Sequence, residues 1–433
     1  MFLLFLPSGS RRRALRLIAF AAFVMLAGRA SGQVDGMTLD EALQVAESHS
    51  SSIQASQAGI RGDTAVVIKA GQLPNPTLKL SVEDLPINGP QAFTTGQDDF
   101  TMRGIGIEQE WVSPSKRRLR TTLANRTVDQ GRSTYLEKLA EVRRQTAMAW
   151  LNAVYAKKAV ALNEALVEHL NDELAARQAS YRGSQGTASD VVQARVTLGN
   201  ARDALIDAQQ DEKTTLIDLS RWTAAGNVLE VAGEPPLLDS PVPGMSAEQL
   251  NEVQPALVAA HAAISVADAA TDVARSDRNP NWTWGLTYFK RGGNFSDYVS
   301  FGVSIPLPLN RKNLEDRDVE QKSEIGTQAR LNYEDTERQV MAGIEGLATK
   351  LASGRERLAN LRQTVLPAAE QKVQLANAAY RSGAGTLADA FEARHMQLET
   401  QLRVLNLERQ VSLVWAGLEY QVLPPDVISA ASQ

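Results

Sequence analysis

The sequence contains no cysteine, few aromatic residues and only four histidines. Disulfides, thiolate metal sites and Cys nucleophiles are therefore excluded. His49, His169, His261 and His395 lie too far apart for any two to share a turn of helix, which argues against a His-rich metal site or a catalytic dyad. The methionines are scattered too, so no soft-metal cluster is visible and no metal ligands are assigned. Lys and Arg number 45 against 50 Asp and Glu, a balance with no electrostatic footprint for nucleic acid. The low aromatic content suits long amphipathic helices better than a packed globular enzyme. No Ser-His-Asp or Cys-His arrangement and no Gly-rich phosphate loop stands out, so the expectation is a non-enzyme without a cofactor.

Beyond the N-terminal region no run reaches 18 continuous apolar residues, so no transmembrane helix is expected. The N-terminal region itself has the form of a cleavable address. Arg11, Arg12, Arg13 and Arg16 precede the apolar run Leu17–Ala27, and Ala30-Ser31-Gly32 supplies small residues for cleavage. That order is the charged, apolar and small-residue plan of a secretory signal peptide, expected over 1–32. The mature chain has no Cys for lipidation. It is then periplasmic or secreted, or it enters a membrane as strands.

What the sequence does have is a duplication. Aligning 53–80 with 257–284 at an offset of 204 superposes Ala55, Ala58, Ile60, Ala70, Asn75 and Pro76 on Ala259, Ala262, Ile264, Ala274, Asn279 and Pro280. At an offset of 199, Tyr181, Arg182, Gly186, Thr187, Asp190, Ala194 and Arg195 match Tyr380, Arg381, Gly385, Thr386, Asp389, Ala393 and Arg394. The same elements recur in the same order.

Each copy reads as helix, strand hairpin, very long helix, tight turn and long helix, a mainly α fold with a small β part. The first repeat, 33–245, is expected to carry helices over 39–71, 114–181 and 187–222, strands over 77–84 and 102–111, and a linker at 223–245. The second repeat, 246–423, carries helices over 247–277, 312–380 and 386–421 and strands over 281–289 and 298–306, leaving a tail at 424–433. Leu78, Leu80 and Val82 alternate with Lys79, Ser81 and Glu83, and Trp282, Trp284, Leu286 and Tyr288 repeat the period-2 pattern. The long helices show 3- and 4-residue spacing, as in Ile344, Leu347, Leu351, Leu358, Leu361 and Val365, the signature of knobs-into-holes packing. Pro367 is expected to kink the later one.

Four strands cannot close a membrane barrel, which needs about eight. Either the strands form a small sheet packed on the helices, or an oligomer completes a barrel, because lipid tolerates no open sheet edge.

These features resemble the outer-membrane efflux protein family, the TolC-type channel subunits, over residues 39–423. Within it, Gly71-Gln72-Leu73-Pro74-Asn75-Pro76 and Ile305-Pro306-Leu307-Pro308-Leu309-Asn310-Arg311 look like the heavy-metal branch, whose members serve cobalt–zinc–cadmium or copper pumps. The resemblance implies a homotrimer in the outer membrane of a Gram-negative bacterium. A 12-stranded barrel would stand in outer-membrane lipid and continue as a 12-helix periplasmic tunnel. It also implies two partners, a periplasmic adaptor (membrane fusion) protein and an inner-membrane RND transporter. By the same resemblance the turns form the periplasmic tip where the adaptor docks: Tyr181, Arg182, Gly183, Gly186 and Thr187 in one, Tyr380, Arg381, Gly383, Gly385 and Thr386 in the other. The four glycines suit left-handed backbone conformations at helix ends. Asp389 and Glu392 match positions that form a constricting acidic ring. The plainer reading of these acids, and of Asp190, is that they favour the positive end of a helix. Arg182 and Arg381 either latch helices together or serve the matching preference at helix C-termini. The function expected is a passive duct for heavy-metal cations. The alternatives are the same duct serving drugs or other small molecules, and a soluble periplasmic coiled-coil scaffold.

Overall fold

The structure is a computed structural model and describes residues 36–428 apart from 225, 227–229, 237–238, 293–294 and 426. The expected signal peptide lies outside the described residues, as does most of the expected tail.

The first repeat opens with α1 (Leu39–His49) and α2 (Ser51–Ala70), where the spacing predicts one helix over 39–71. Ser50 makes the break. It ends α1 in an extended conformation, and its hydroxyl caps α2 by accepting from the Ile53 N–H at 3.4 Å. Strands β1 (Thr77–Glu83) and β2 (Met102–Trp111) follow, then α3 (Pro114–Arg182) and α4 (Ala188–Thr223). Ser113 caps α3 and Pro114 occupies its first turn, where a missing N–H costs nothing. Unbroken for 69 residues, α3 is about 100 Å long at ~1.5 Å per residue.

The second repeat breaks its first helix at the homologous place by a different device. The helix expected over 247–277 is α5 (Ala247–Val253) and α6 (Pro255–Asp277). Pro255 forces Gln254 out of the helical region, and the Gln254 side chain caps α6 by accepting from the N–H groups of Ala256 and Leu257. Then come β3 (Trp282–Arg291), β4 (Tyr298–Ser304), α7 (Glu315–Asn360), α8 (Leu366–Ser382) and α9 (Leu387–Glu419). Between α7 and α8 the helix continues through a π-turn at Leu361–Val365, in which the Leu366 N–H donates to the Leu361 carbonyl. The wider turn stands just ahead of Pro367, whose ring would clash with the carbonyl four residues back in a regular α-helix. The disturbance expected at Pro367 thus takes the form of a π-turn. Among the described residues only α6 is long and apolar enough to cross a membrane, yet it packs along α3 and α7 as part of the helical body.

The two hairpins are not separate. β2 pairs with β3 across the repeats, giving one antiparallel sheet in the order β1-β2-β3-β4 with both outer edges open. At its helical end the Trp111 and Trp282 rings stand 5.9 Å apart. Beneath them the buried Lys116 ammonium reaches Asp277 at 3.2 Å and Asn281 at 3.0 Å.

The main core lies far from both the sheet and the turns, halfway along α3. Trp150, Leu151 and Tyr155 of α3 meet Leu219, Leu250, Leu257, Leu351, Trp415 and Leu418 there, so both repeats contribute. A buried hydrogen bond between the Tyr155 and Ser412 hydroxyls (2.9 Å) joins α3 to α9. A smaller cluster of Leu166, Leu170, Leu198 and Leu398 lies nearer the turns.

Candidate functional site

The strand register sorts every side chain of the sheet onto one of two faces, because directly opposed residues in an antiparallel pair point the same way. One face carries Leu78, Leu80 and Val82 from β1, Ile105 and Ile107 from β2, Trp284, Leu286 and Tyr288 from β3, and Val299, Phe301 and Val303 from β4. The other carries Lys79, Ser81, Gly104, Gly106, Glu108, Thr283, Gly285, Thr287, Ser300, Gly302 and Ser304. Its ion pair, Lys79 to Glu108, spans 3.1 Å. Met102, Phe289 and Tyr298 are less polar members of that face, and Phe289 is buried over Gly104, where an added Cβ would lie 2.6 Å from its ring.

No helix covers the apolar face. Leu80 is 70% exposed, Phe301 68% and Val299 69%, which rules out the reading of a small sheet packed on its own helices. From the Trp111–Trp282 pair to Arg103, one residue short of the opposite end of β2, is eight residues, ~27 Å of strand at ~3.4 Å each. Tilted by about 40°, that projects to ~21 Å, close to the ~25 Å apolar band of a membrane barrel.

At the other end of α3 the two helical turns are built alike but not as their glycines suggest. Gly383 has a positive φ of 75°, with open space where a Cβ would stand. Its counterpart in the first turn is Ser184, at φ 61°, whereas Gly183 has an ordinary negative φ. Gly186 and Gly385 serve close approach instead. A Cβ on Gly385 would meet the Ala379 Cβ at 2.9 Å, and one on Gly186 would meet the Ser180 hydroxyl at 3.0 Å. Moving the left-handed residue from serine to glycine should stabilise the first turn, and the reverse change should loosen the second. Ser184→Gly is expected to slow hydrogen exchange of the turn amides by roughly fivefold, and Gly383→Ala to speed it by as much in the other turn, each about 1 kcal/mol. Unchanged exchange in both would show that the turns do not feel this backbone preference.

Thr187 and Thr386 cap the helices that follow. The Thr386 N–H donates to the Asp389 carboxylate at 2.9 Å, and the Asp389 N–H donates back to the Thr386 hydroxyl at 3.2 Å. Thr187 and Asp190 make the same reciprocal pair. Hydrogen bonds from the threonines, side chain and backbone together, hold both carboxyls below the usual aspartate range. Asp389 is thus an exposed, ionised cap residue, and Glu392 is exposed one turn on. Arg182 and Arg381 each turn back on their own helix, donating from Nε to the carbonyls of Gln178 and Asn377 at 3.3 Å. Tyr181 and Tyr380 present half-exposed rings beside the turns.

One contact near the second turn was invisible in sequence. His169 of α3 places Nε2 3.0 Å from the Phe391 carbonyl of α9, with the His169 and Phe391 rings tilted by 48° and their centroids 5.4 Å apart. Burial pushes the His169 imidazole below its ordinary value, so the neutral ring is favoured there. The partners are 222 residues apart, and no local signal links them.

Residues 247–420, the second repeat, match the family model described as outer membrane efflux protein. The cobalt-zinc-cadmium resistance protein CzcC of Cupriavidus metallidurans is 26% identical over 384 residues, 86% of each chain. Among solved structures, the outer membrane protein VceC of Vibrio cholerae superposes with a TM-score of 0.70 at 17% identity, covering 88% of this chain and 95% of that one. CusC, whose crystal structures concern folding and transmembrane channel formation, gives 0.74 at 14% identity and covers 91% and 95%. The family model reaches only the second repeat; the first has helices, strands and a turn in the same order, and the likenesses to CzcC and CusC cover 86% and 91% of this chain. The second repeat thus matches the outer membrane efflux protein family model, and over about nine-tenths of its length the chain shares the fold of VceC and CusC.

Proposed function

We propose that three copies of this chain form a passive duct in the outer membrane that discharges heavy-metal cations. The observation that carries the duct is the sheet: four strands, two open edges, one apolar exposed face and one polar face. Lipid forbids an open edge, and three copies give twelve strands with the polar face lining the pore. The long helices extend the duct through the periplasm, and the turns at 181–187 and 380–386 form its inner end. An adaptor docks on Tyr181, Tyr380 and the residues around them, and an inner-membrane RND transporter supplies energy and substrate choice.

The metal cargo rests on the likeness to the cobalt-zinc-cadmium resistance protein. Among the described residues no three His, Asp or Glu stand together as a metal site, so the cation is passed rather than held. At the narrow end, Asp190, Asp389 and Glu392 contribute negative charge that attracts cations from each copy.

The test is growth of a deletion strain across graded zinc, cobalt, cadmium, nickel and copper, beside a panel of drugs and dyes. Hypersensitivity to one or two metals, rescued by the wild-type gene, is the expected result. Sensitivity to drugs alone would transfer the duct to organic cargo. Recovery of the protein in the soluble periplasm, rather than in heat-modifiable outer-membrane trimers, would overturn the duct itself.

A further inference from the structure

On the apolar face of the sheet, the row furthest from the helices breaks the pattern. Arg103 of β2 stands directly opposite Lys290 of β3, with Val82 beside them on β1. The next row down is Leu80, Ile105, Tyr288 and Val299, fully in keeping with the apolar face. Both basic side chains are exposed, and neither has an ion-pair partner among the described residues. The other basic residues of the strands are matched: Lys79 by Glu108, and Arg291 by the Asp99 carbonyl and the Tyr298 hydroxyl. Asp297, which interacts electrostatically with Lys290, accepts hydrogen bonds from the Tyr288 hydroxyl and the Arg291 N–H.

Two like charges directly across a strand pair repel and weaken the sheet. Asp297 acts electrostatically on Lys290, but its carboxylate is already engaged by Tyr288 and Arg291, so the pair leaves room for an anion from outside. The position limits what that anion is. The pair caps the band at the loop end, about 27 Å of strand away from the tryptophan pair, where a charge on a lipid-facing surface costs least. We propose that Arg103 and Lys290 bind the phosphate of a lipid headgroup in the outer leaflet, a phosphorylated glycolipid of the lipid A type. The guanidinium offers a fork of donors to two phosphate oxygens, and the ammonium adds a point charge. Tyr288 and Ile105 lie directly below, where the acyl chains of the same lipid begin. The site rests on the membrane reading proposed above and gives each subunit one headgroup contact at its outer rim.

The experiment uses full-length protein in nanodiscs of phosphatidylcholine alone and of phosphatidylcholine with diphosphoryl lipid A. Two quantities are read: lipid A retained per subunit, by native mass spectrometry, and the temperature at which the oligomer dissociates. Wild type is expected to retain lipid A and to dissociate at a higher temperature when it is present. The R103Q/K290Q variant should retain roughly thirtyfold less, the loss of two ordinary headgroup contacts. In phosphatidylcholine alone the same variant should dissociate at the same or a higher temperature than wild type, because its repulsion is gone. That sign separates a lost ligand from a damaged fold, and R103K, which keeps the charge, should retain most of the lipid. Equal retention by wild type and R103Q/K290Q would overturn the proposal. So would millimolar inorganic phosphate reproducing the whole temperature rise in phosphatidylcholine, since the site would then read phosphate without its lipid. Failure of wild type to enter either disc would overturn the membrane reading instead.

Discussion

Phe301→Arg is expected to abolish outer-membrane assembly, while Ser300→Arg, one position earlier on β4, leaves it intact. In the isolated subunit the two sites are alike, both exposed on an open edge strand. Neither substitution breaks a contact that would unfold one chain, so the subunit alone supplies no reason for them to differ. The register supplies it. Phe301 shares a row with Leu78, Ile107 and Leu286 in the middle of the apolar band, whereas Ser300 stands on the opposite face beside Thr287. An arginine at mid-depth on a lipid-facing strand costs about 2–4 kcal/mol, and a threefold assembly incurs it three times, ~6–12 kcal/mol in all. That approaches the whole stability of an ordinary domain, about 5–15 kcal/mol. Ser300→Arg instead puts a ring of charge into water and should shift the conductance of a reconstituted channel towards anions. Heat-modifiable trimers in the membrane fraction are the readout. Equal assembly of both variants would mean that the apolar face does not meet lipid.

That contrast depends on something only half legible in sequence. The alternation of Leu78, Leu80 and Val82, and of Trp282 to Tyr288, announced strands with one apolar face. The pairing of β2 with β3 did not announce itself, since Trp111 and Trp282 are separated by the whole first helical hairpin. Without that pairing two hairpins remain two hairpins, and Arg103 and Lys290 are unrelated charges. Glycine was misleading in β2, where Gly104 and Gly106 lower the apparent alternation while marking close approach of Phe289 and Thr287.

The helices show the reverse imbalance. Their period, their great length and the duplication were plain, because a 3- and 4-residue repeat sustained over many turns has few other readings. Their interruptions were not. The Ser50 and Gln254-Pro255 breaks had visible signals, a capping serine and a proline, but the alanine-rich period continues through both and masks them. Pro367 advertised a disturbance, and the chain meets it with a π-turn just ahead of the proline. At the turns, residue type suggested Gly183 as the left-handed residue, yet homology of position is what counts: Ser184 occupies the place of Gly383. Asp389 was legible both as a cap and as a candidate constriction. Its bonds to Thr386 display the first role, and the second depends on neighbouring copies.

Trp150→Ala should produce the largest loss of stability within one subunit. The indole is 1% exposed and its Nε1 donates to the Met37 carbonyl at 2.8 Å, fastening the chain before α1 to the middle of α3. Beside it Met37 bridges Val231, and Gly233, at φ 102°, brings the segment after α4 against the ring. Truncation leaves a cavity that long, rigid helices cannot collapse into, costing about 3–5 kcal/mol. The Met37 carbonyl keeps its bond from the Ala232 N–H at 3.1 Å, so losing the indole bond adds only ~0.5–1.5 kcal/mol. Trp150→Phe separates the two, since it keeps most of the volume and loses the bond, and should cost ~2–3 kcal/mol, the bond and the smaller void together. Urea unfolding of the subunit in detergent measures both. The core around Trp150 lies ~50 Å from either end of α3, and the sheet at one end and the turns at the other have little core of their own. A loss at Trp150 therefore weakens the subunit before assembly, whereas a charge at Phe301 spares the subunit and stops the assembly. Trp150→Ala should lower the urea midpoint and the yield of trimer together, and Phe301→Arg the yield alone. If Trp150→Ala left the midpoint unchanged, the fold would have to be held by the partner copies rather than by this central core.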